Sequence, residues 1–204
     1  MNNGIPLLLM AGHITTKSTA RKRDTLSCDF LCKSMEIKLC SQQNLPELVA
    51  IANQSYLDHY TYLWYDNGLE YTRFNFSDHQ LKEELANPNA VFYLIVQENK
   101  TVGYLKLNID KGVQEYPAAI SLELQRLYFI QSASGKGLGK LAVDFVIDYA
   151  RTKNKKIVWL TSMDSSRAVA FYQKLGFSTH NHYFLTFPTM KEEYRKILVM
   201  CREL

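Results

Sequence analysis

Ser134-Gly-Lys-Gly-Leu-Gly-Lys140 (SGKGLGK) stands between two segments of opposite habit. The residues before it, about 121–130, read as a strand. Those after it predict a helix over 138–152, with Leu138, Leu141, Ala142, Phe145, Val146 and Tyr149 on one face. A strand that ends in a glycine turn and restarts as a helix presents unpaired N–H groups at the helix tip. Together with the helix dipole these attract an anion, and glycine lets the anion approach because no Cβ intrudes. The plain alternative is a loop that only turns the chain. Three glycines at alternate positions before a strong helix favour the anion site. Two other phosphate loops fail on residues: a Walker A reading puts Ser134 where glycine is needed and Leu141 where a metal-binding hydroxyl is needed. A dinucleotide fingerprint starting at Gly135 needs a third glycine where Lys140 stands.

The preceding strand carries a second signal. Leu122 and Leu124 share a side, and strict alternation would put Leu127 and Phe129 on the other. The apolar phase slips between 124 and 127, as a β-bulge would make it slip. A bulge bends a strand away from its neighbour, here the strand expected at 156–162. Such a splay opens a cleft edged with unpaired backbone groups, suited to an extended ligand that itself carries amides.

Outward from this centre the elements follow in order. Met35–Cys40 alternates with period two and predicts a strand. Asn44 caps a helix to about Asp58, with Leu48, Ile51, Ala52 and Tyr56 on one face. An aromatic run, Tyr56 to Tyr65, follows. Ser77-Asp-His-Gln80 reads as a capping box for a helix ending near Asn87-Pro88. Val91–Val96 predicts a strand covered on both faces, turning at Asn99-Lys100 into an alternating strand over 102–109. After the strand at 156–162 come a short helix at 166–175 and strands near 177–186 and 195–203. The order β-α-α-β-β-β-α-β-α-β-β implies an α/β chain with one mixed sheet and helices on both faces.

The 204 residues suffice for one domain with a full core. Net charge is +4, yet residues 1–34 hold five basic side chains (Lys17, Arg21, Lys22, Arg23, Lys33) against two acidic ones, and the rest is nearly balanced. The main domain is therefore not basic enough to suggest nucleic acid. Residues 1–34 are expected to form a weakly ordered basic extension, and Met35 is a candidate alternative start. Ile5–Met10 is too short and too poorly flanked for a signal peptide, and no run is long enough to span a membrane. Cys28, Cys32, Cys40 and Cys201 lack disulfide-scaffold or zinc spacing, so free thiols in a reducing cytoplasm, and no metal, are expected.

Leu124–Ile130, Gly135–Lys140 and Ala168-Val-Ala-Phe-Tyr-Gln-Lys-Leu-Gly-Phe177 together resemble the GNAT superfamily of N-acetyltransferases over about residues 35–204. Within it, Gln80–Leu85, Val102–Asp110 and Asn154–Leu160 resemble the bacterial spermine/spermidine N-acetyltransferase branch. The resemblance implies a single domain, 35–204, whose mostly antiparallel sheet splays at a parallel strand pair. It implies acetyl-CoA as cosubstrate, with its diphosphate on the amides of Gly135, Lys136, Gly137, Leu138, Gly139 and Lys140. The pantetheine arm would pair with the backbone of Leu127, Tyr128 and Phe129. Ser134 replaces the usual Gln or Arg at the start of the loop. Ser165 stands where the family has Asn, and its hydroxyl reaches less far toward pantetheine.

The implied reaction is direct attack of a primary amine on the thioester through a tetrahedral intermediate. A lysine-like amine is almost wholly protonated at pH 7, and freeing it costs about 4–5 kcal/mol. Glu123, on the bulged strand, is the candidate base, with a surface glutamate as the alternative reading. The backbone N–H near Tyr128 is the candidate oxyanion donor. Tyr172 matches the family's general acid, with a core tyrosine as the alternative. Lys174 either approaches a coenzyme phosphate or is solvated. Tyr56, His59, Tyr60 and Tyr65 are candidates for an aromatic wall around a cationic acceptor, or else a core stripe. Trp159 is read as core. The expected activity is N-acetylation of a small amine, a polyamine first, by a protein that binds neither nucleic acid nor membrane and is compatible with a homodimer. The alternatives are acetylation of a protein N-terminus or lysine, and a non-catalytic acyl-CoA-binding regulator.

Overall fold

The computed structural model describes residues 35–204. The expectations for residues 1–34, including Cys28, Cys32 and the basic cluster, lie outside the described residues. The elements are β1 (Met35–Leu39), α1 (Leu45–Tyr60), α2 (Leu69–Asn75), α3 (Asp78–Ala86), β2 (Ala90–Gln97), β3 (Lys100–Asn108), β4 (Ser121–Phe129), α4 (Leu138–Thr152), β5 (Ile157–Met163), α5 (Ala168–Lys174), β6 (Ser178–Phe184) and β7 (Lys196–Glu203). One seven-stranded sheet runs β1-β2-β3-β4-β5-β7-β6. Every pairing is antiparallel except β4 with β5.

Two apolar layers sandwich this sheet. On one side α4 lays Leu138, Ala142, Val143, Val146, Ile147 and Ala150 onto Leu105, Leu107, Leu122, Leu124, Leu127 and Phe129, with Ala168 and Tyr172 of α5 beside them. Each fully buried Leu or Val contributes about 1.5–3 kcal/mol, so this contact alone holds α4 rigidly. The helix occupies the predicted range, but its buried face is rotated from the expected one. Phe145 and Tyr149 lie at its flank, packed edge-on against Tyr93 of β2 at 5.0 and 6.0 Å. On the other side α1, α2 and α3 cover Phe92, Leu94, Tyr104 and Tyr128 with Leu48, Ile51, Tyr56, Tyr60, Tyr71 and Leu81.

Three local expectations change. Asn44 does not cap α1 with its side chain; Ser41 N–H and Oγ bind its Oδ1 instead, closing a one-turn 3-10 box ahead of the helix. Ser77 does cap α3, accepting from Gln80 N–H, but Gln80 turns its own amide to Glu84 rather than back to the cap. The hairpin turn sits one residue earlier than predicted, at Glu98 and Asn99. Both have positive φ, the mirror-image turn that matches strand twist. Helix α2 has no counterpart in the sequence reading.

Candidate active site

The β-bulge lies where the apolar phase slips. Lys106 pairs with Arg126 and Leu107 with Leu124, so Gln125 is the extra residue of β4. It restores Leu127 and Phe129 to the side of Leu122 and Leu124. Beyond the bulge β4 leaves β5: the parallel ladder joins only Ser121–Glu123 to Ile157–Trp159, while β5 continues along β7 to Met163. Ile130 N–H donates to Val102 O at 2.9 Å. By strict alternation the main chain of Arg126, Tyr128 and Ile130 therefore faces β3, and that of Leu127 and Phe129 faces the gap. The N–H of Tyr128 is turned into the ladder, which corrects its expected place at the cleft.

The glycine loop closes one end of this gap. Gly135 and Gly137 hold φ of 76° and 80°, a region costing an L-residue about 1–2 kcal/mol. Gly137 is the N-cap of α4, and a Cβ there would meet nothing within 4 Å, so backbone conformation and not space selects glycine. Lys140 and Leu141 donate to Gly137 O. The amides of Leu138 and Gly139, in the first turn, have no helical carbonyl behind them. Lys136 and Ser165 are exposed on the turns flanking the gap. Lys140 pairs with Asp144 at 2.6 Å, and Lys174 is exposed near the end of α5.

Two candidate chemical groups are buried. Tyr172 has 0 % exposure, and its hydroxyl has no hydrogen-bond partner. Burial alone holds its pKa well above the ordinary value. It is both a core tyrosine, edge-on to Phe171 and Phe177, and a tyrosine with an unspent O–H. Glu123 is 7 % exposed, which excludes the surface reading. It accepts from Asn108 Nδ2 at 2.5 Å. Burial raises its pKa against the opposing pull of that bond and of Lys111, Lys106 and Arg126. Tyr183 of β6 lies within the field of Glu123.

Behind Glu123 lies a charge cluster absent from the sequence reading. Arg126 grips Glu84 with two bonds, 2.6 and 3.1 Å, and Lys106 reaches the same carboxylate at 2.8 Å. Burial pushes the Glu84 carboxyl up, but Arg126 and then Lys106 outweigh it and hold it at about 2. Lys106 is pushed down to about 8, first by burial and then by Arg126. The signal was present in the register of β3 against β4, but the three residues are far apart in sequence.

The aromatic residues separate into different places. Tyr56 is 1 % exposed, accepts from Trp64 Nε1 at 2.9 Å, and is stacked on Tyr71 at 4.8 Å. It has no face open to a ligand, so its acceptor-wall reading gives way to the core stripe. Tyr60 is buried beside it, its pKa raised first by burial and then by the nearby Tyr172. Tyr65 is exposed. His59 lies between this cluster and the loop: its ring is 5.8 Å from that of Tyr60, and its Nε2 lies 3.1 Å from Phe129 O and 3.4 Å from Ser134 Oγ. Trp159 is core, its N–H spent on Lys111 O. Past Tyr56, a cavity of about 270 Å³ is lined by Trp64, Glu70, Tyr71, Phe74, Asn75 and the 187–189 segment.

An extended, amide-bearing anionic ligand fits what is present. The gap edge offers the main chain of Leu127 and Phe129, the loop offers helix-tip amides, and the Tyr172 hydroxyl waits unpaired. Comparison with known proteins gives the family. Residues 49–177 match the model of the acetyltransferase (GNAT) family. An uncharacterised N-acetyltransferase in the pepI 3′ region of Lactobacillus delbrueckii subsp. lactis is 29% identical over 154 residues, 72% of this chain and 87% of that protein. The fold matches PaiA N-acetyltransferase from Thermoplasma acidophilum, solved with coenzyme A, at TM-score 0.65 and 20% identity, over 84% of this chain and 99% of that one. It also matches the spermidine/spermine N-acetyltransferase SpeG from Vibrio cholerae at TM-score 0.60 and 17% identity, over 85% and 94% of the two chains.

Proposed function

Since the chain belongs to the acetyltransferase (GNAT) family, we propose that it moves the acetyl group of acetyl-CoA onto a primary amine of a small cationic acceptor, a polyamine in first place. The observation that carries this reading is the parting of β4 from β5 after Glu123, directly beside the glycine-led helix α4. Leu127 and Phe129 pair with the pantetheine arm, with Ser165 beside it, and the amides at Gly135–Gly139 hold the diphosphate, with Lys174 approaching a phosphate. Acetyl-CoA, when bound, supplies the activated thioester. Glu123 takes the proton that the acceptor ammonium must shed. After the carbon–nitrogen bond has formed, the carbon–sulfur bond breaks, Tyr172 gives its proton to the sulfur, and the second proton that the nitrogen sheds on becoming an amide restores the tyrosine.

Support for a cationic acceptor comes from the cavity beyond Tyr56. Its walls are aromatic faces and the Glu70 carboxylate. The Trp64 N–H is spent on Tyr56 and the Asn75 amide donates to Tyr71 O, so these two donors are already occupied. Ring faces and a carboxylate attract an ammonium group. The SpeG proteins that share the fold acetylate spermidine. The test is thiol release by the full chain with acetyl-CoA and a panel of spermine, spermidine, a monoamine and an N-terminal peptide. Polyamines are expected to turn over best, and Glu70→Gln to raise KM about tenfold for them but not for the monoamine. Preference for the peptide would make the acceptor a protein. Coenzyme binding with no thiol release from any amine would make the chain a regulator.

A further inference from the structure

The loop that leads into α4 is weakly furnished with side-chain donors. Ser134 offers only a short hydroxyl, Lys136 points into solvent, and Lys140 is held by Asp144. The C-terminal turn of α1 lies over this loop and brings two groups to it. Asp58 Oδ2 accepts from Gln131 N–H at 2.9 Å. His59 Nε2 reaches Phe129 O at 3.1 Å and Ser134 Oγ at 3.4 Å, across 70 and 75 residues of sequence. A carbonyl only accepts, so Nε2 is the protonated nitrogen of the ring. The Asp58 bond already fastens the turn to the loop, so a second fastening is not what the half-buried imidazole uniquely adds. What it adds is a donor at one particular point. Phe129 is the last residue of β4 whose main chain faces the gap, and Ser134 is the first of the glycine run. Any ligand that lies along the gap and ends on the α4 amides passes this point.

We infer that His59 is a coenzyme-binding residue: when the pantetheine arm takes up Phe129 O, the Nε2–H that rests on that carbonyl turns to the phosphate-bearing end of the coenzyme, in place of the longer side chain that Ser134 lacks. The inference rests on the acetyl-CoA reading above and removes His59 from the acceptor side. The imidazole then links α1 to the loop that holds the anion.

Calorimetry on the full chain tests this with two ligands, coenzyme A and pantetheine, which lacks the phosphates. His59→Ala is expected to weaken coenzyme A about tenfold, the worth of one hydrogen bond to a charged group, and to leave pantetheine within about twofold. Adding Ser134→Arg to His59→Ala should restore coenzyme A binding, since it replaces the donor from within the loop. His59→Gln keeps a neutral donor near Phe129 O and serves if the alanine variant does not fold; it should show a smaller loss confined to coenzyme A. Equal loss for both ligands, or no loss, or no rescue by arginine, overturns the inference. A wild-type chain that binds pantetheine and coenzyme A equally overturns it too. If wild type binds neither, the coenzyme reading fails and takes this inference with it.

Discussion

The hydroxyl of Tyr172 is fully buried without a partner, an arrangement that costs about 1–3 kcal/mol. Tyr104 and Tyr128 share this state, so it is the motif around Tyr172 that singles it out, and the trade-off is measurable. Tyr172→Phe should leave the fold as stable or about 1 kcal/mol more stable in urea denaturation, spare coenzyme binding, and cut turnover about a hundredfold. Unchanged turnover removes Tyr172 from its role. Glu123 gives a pH test. A base works when ionised, and burial raises this carboxyl above its ordinary 4.5, so activity should be lost as pH falls through a value above the usual carboxylate range. Glu123→Gln should be slow throughout and lose that acid limb. Both residues are picked out in the sequence, Tyr172 by its motif and Glu123 by its place on the slipped strand, and the structure adds that both are buried. For His59 the residue type says nothing of direction, and only the packed helix shows its ring beside Tyr60 and its Nε2 at the loop.

At the scale of elements, α4 and the bulge were readable because each is a local pattern: a 3.6-residue period, and a slip in a two-residue one. Helix α2 was not, because Leu69–Asn75 is only seven residues long and starts from Gly68 in a left-handed turn, its first-turn Glu70 N–H held by Asp66 from outside the helix. The charge cluster joining α3, β3 and β4 was hidden for another reason, since no local pattern couples Glu84 to Lys106 and Arg126. Its stability contribution has a definite sign with pH. Glu84 is depressed to about 2 from 4.5. It therefore contributes about 3 kcal/mol that is fully present above pH 4.5 and lost as pH falls toward 2. Denaturation at pH 7 and pH 3 should show this slope, and Glu84→Gln should flatten it while lowering stability at pH 7, since it leaves two buried cations. Glycines in two elements should behave differently. Gly137→Ala strains only the backbone and should cost about 1–2 kcal/mol. At Gly103 an added Cβ would lie 2.4 Å from Tyr128 O, so Gly103→Ala must displace β3 from β4 and should cost more, with coenzyme affinity falling alongside.

Across the whole molecule, one sheet carries two apolar layers, and the gap between β4 and β5 opens within the sheet they share. A ligand that fills the gap binds the folded state alone. At a hundred times its Kd, coenzyme A should add about 2.7 kcal/mol and raise Tm by about 5–10 °C. Amide exchange at Leu127 and Phe129 should slow with it, while Arg126 and Tyr128, already in the ladder, should change little. Equal slowing at all four would mean that the alternation has been misread.

The seam between the strands is three residue pairs long, Ser121–Glu123 against Ile157–Trp159. Mechanically, the sheet is two leaves, β1 to β4 and β5 to β7, stitched at one end like pages at a spine. Bending stiffness across such a joint comes from the short stitch and from the helices laid over it. An extended guest hydrogen-bonded to one leaf and wedged against the other works as a second row of stitches. The enzyme would then be most rigid at the moment it is loaded, and would slacken as the spent thiol departs.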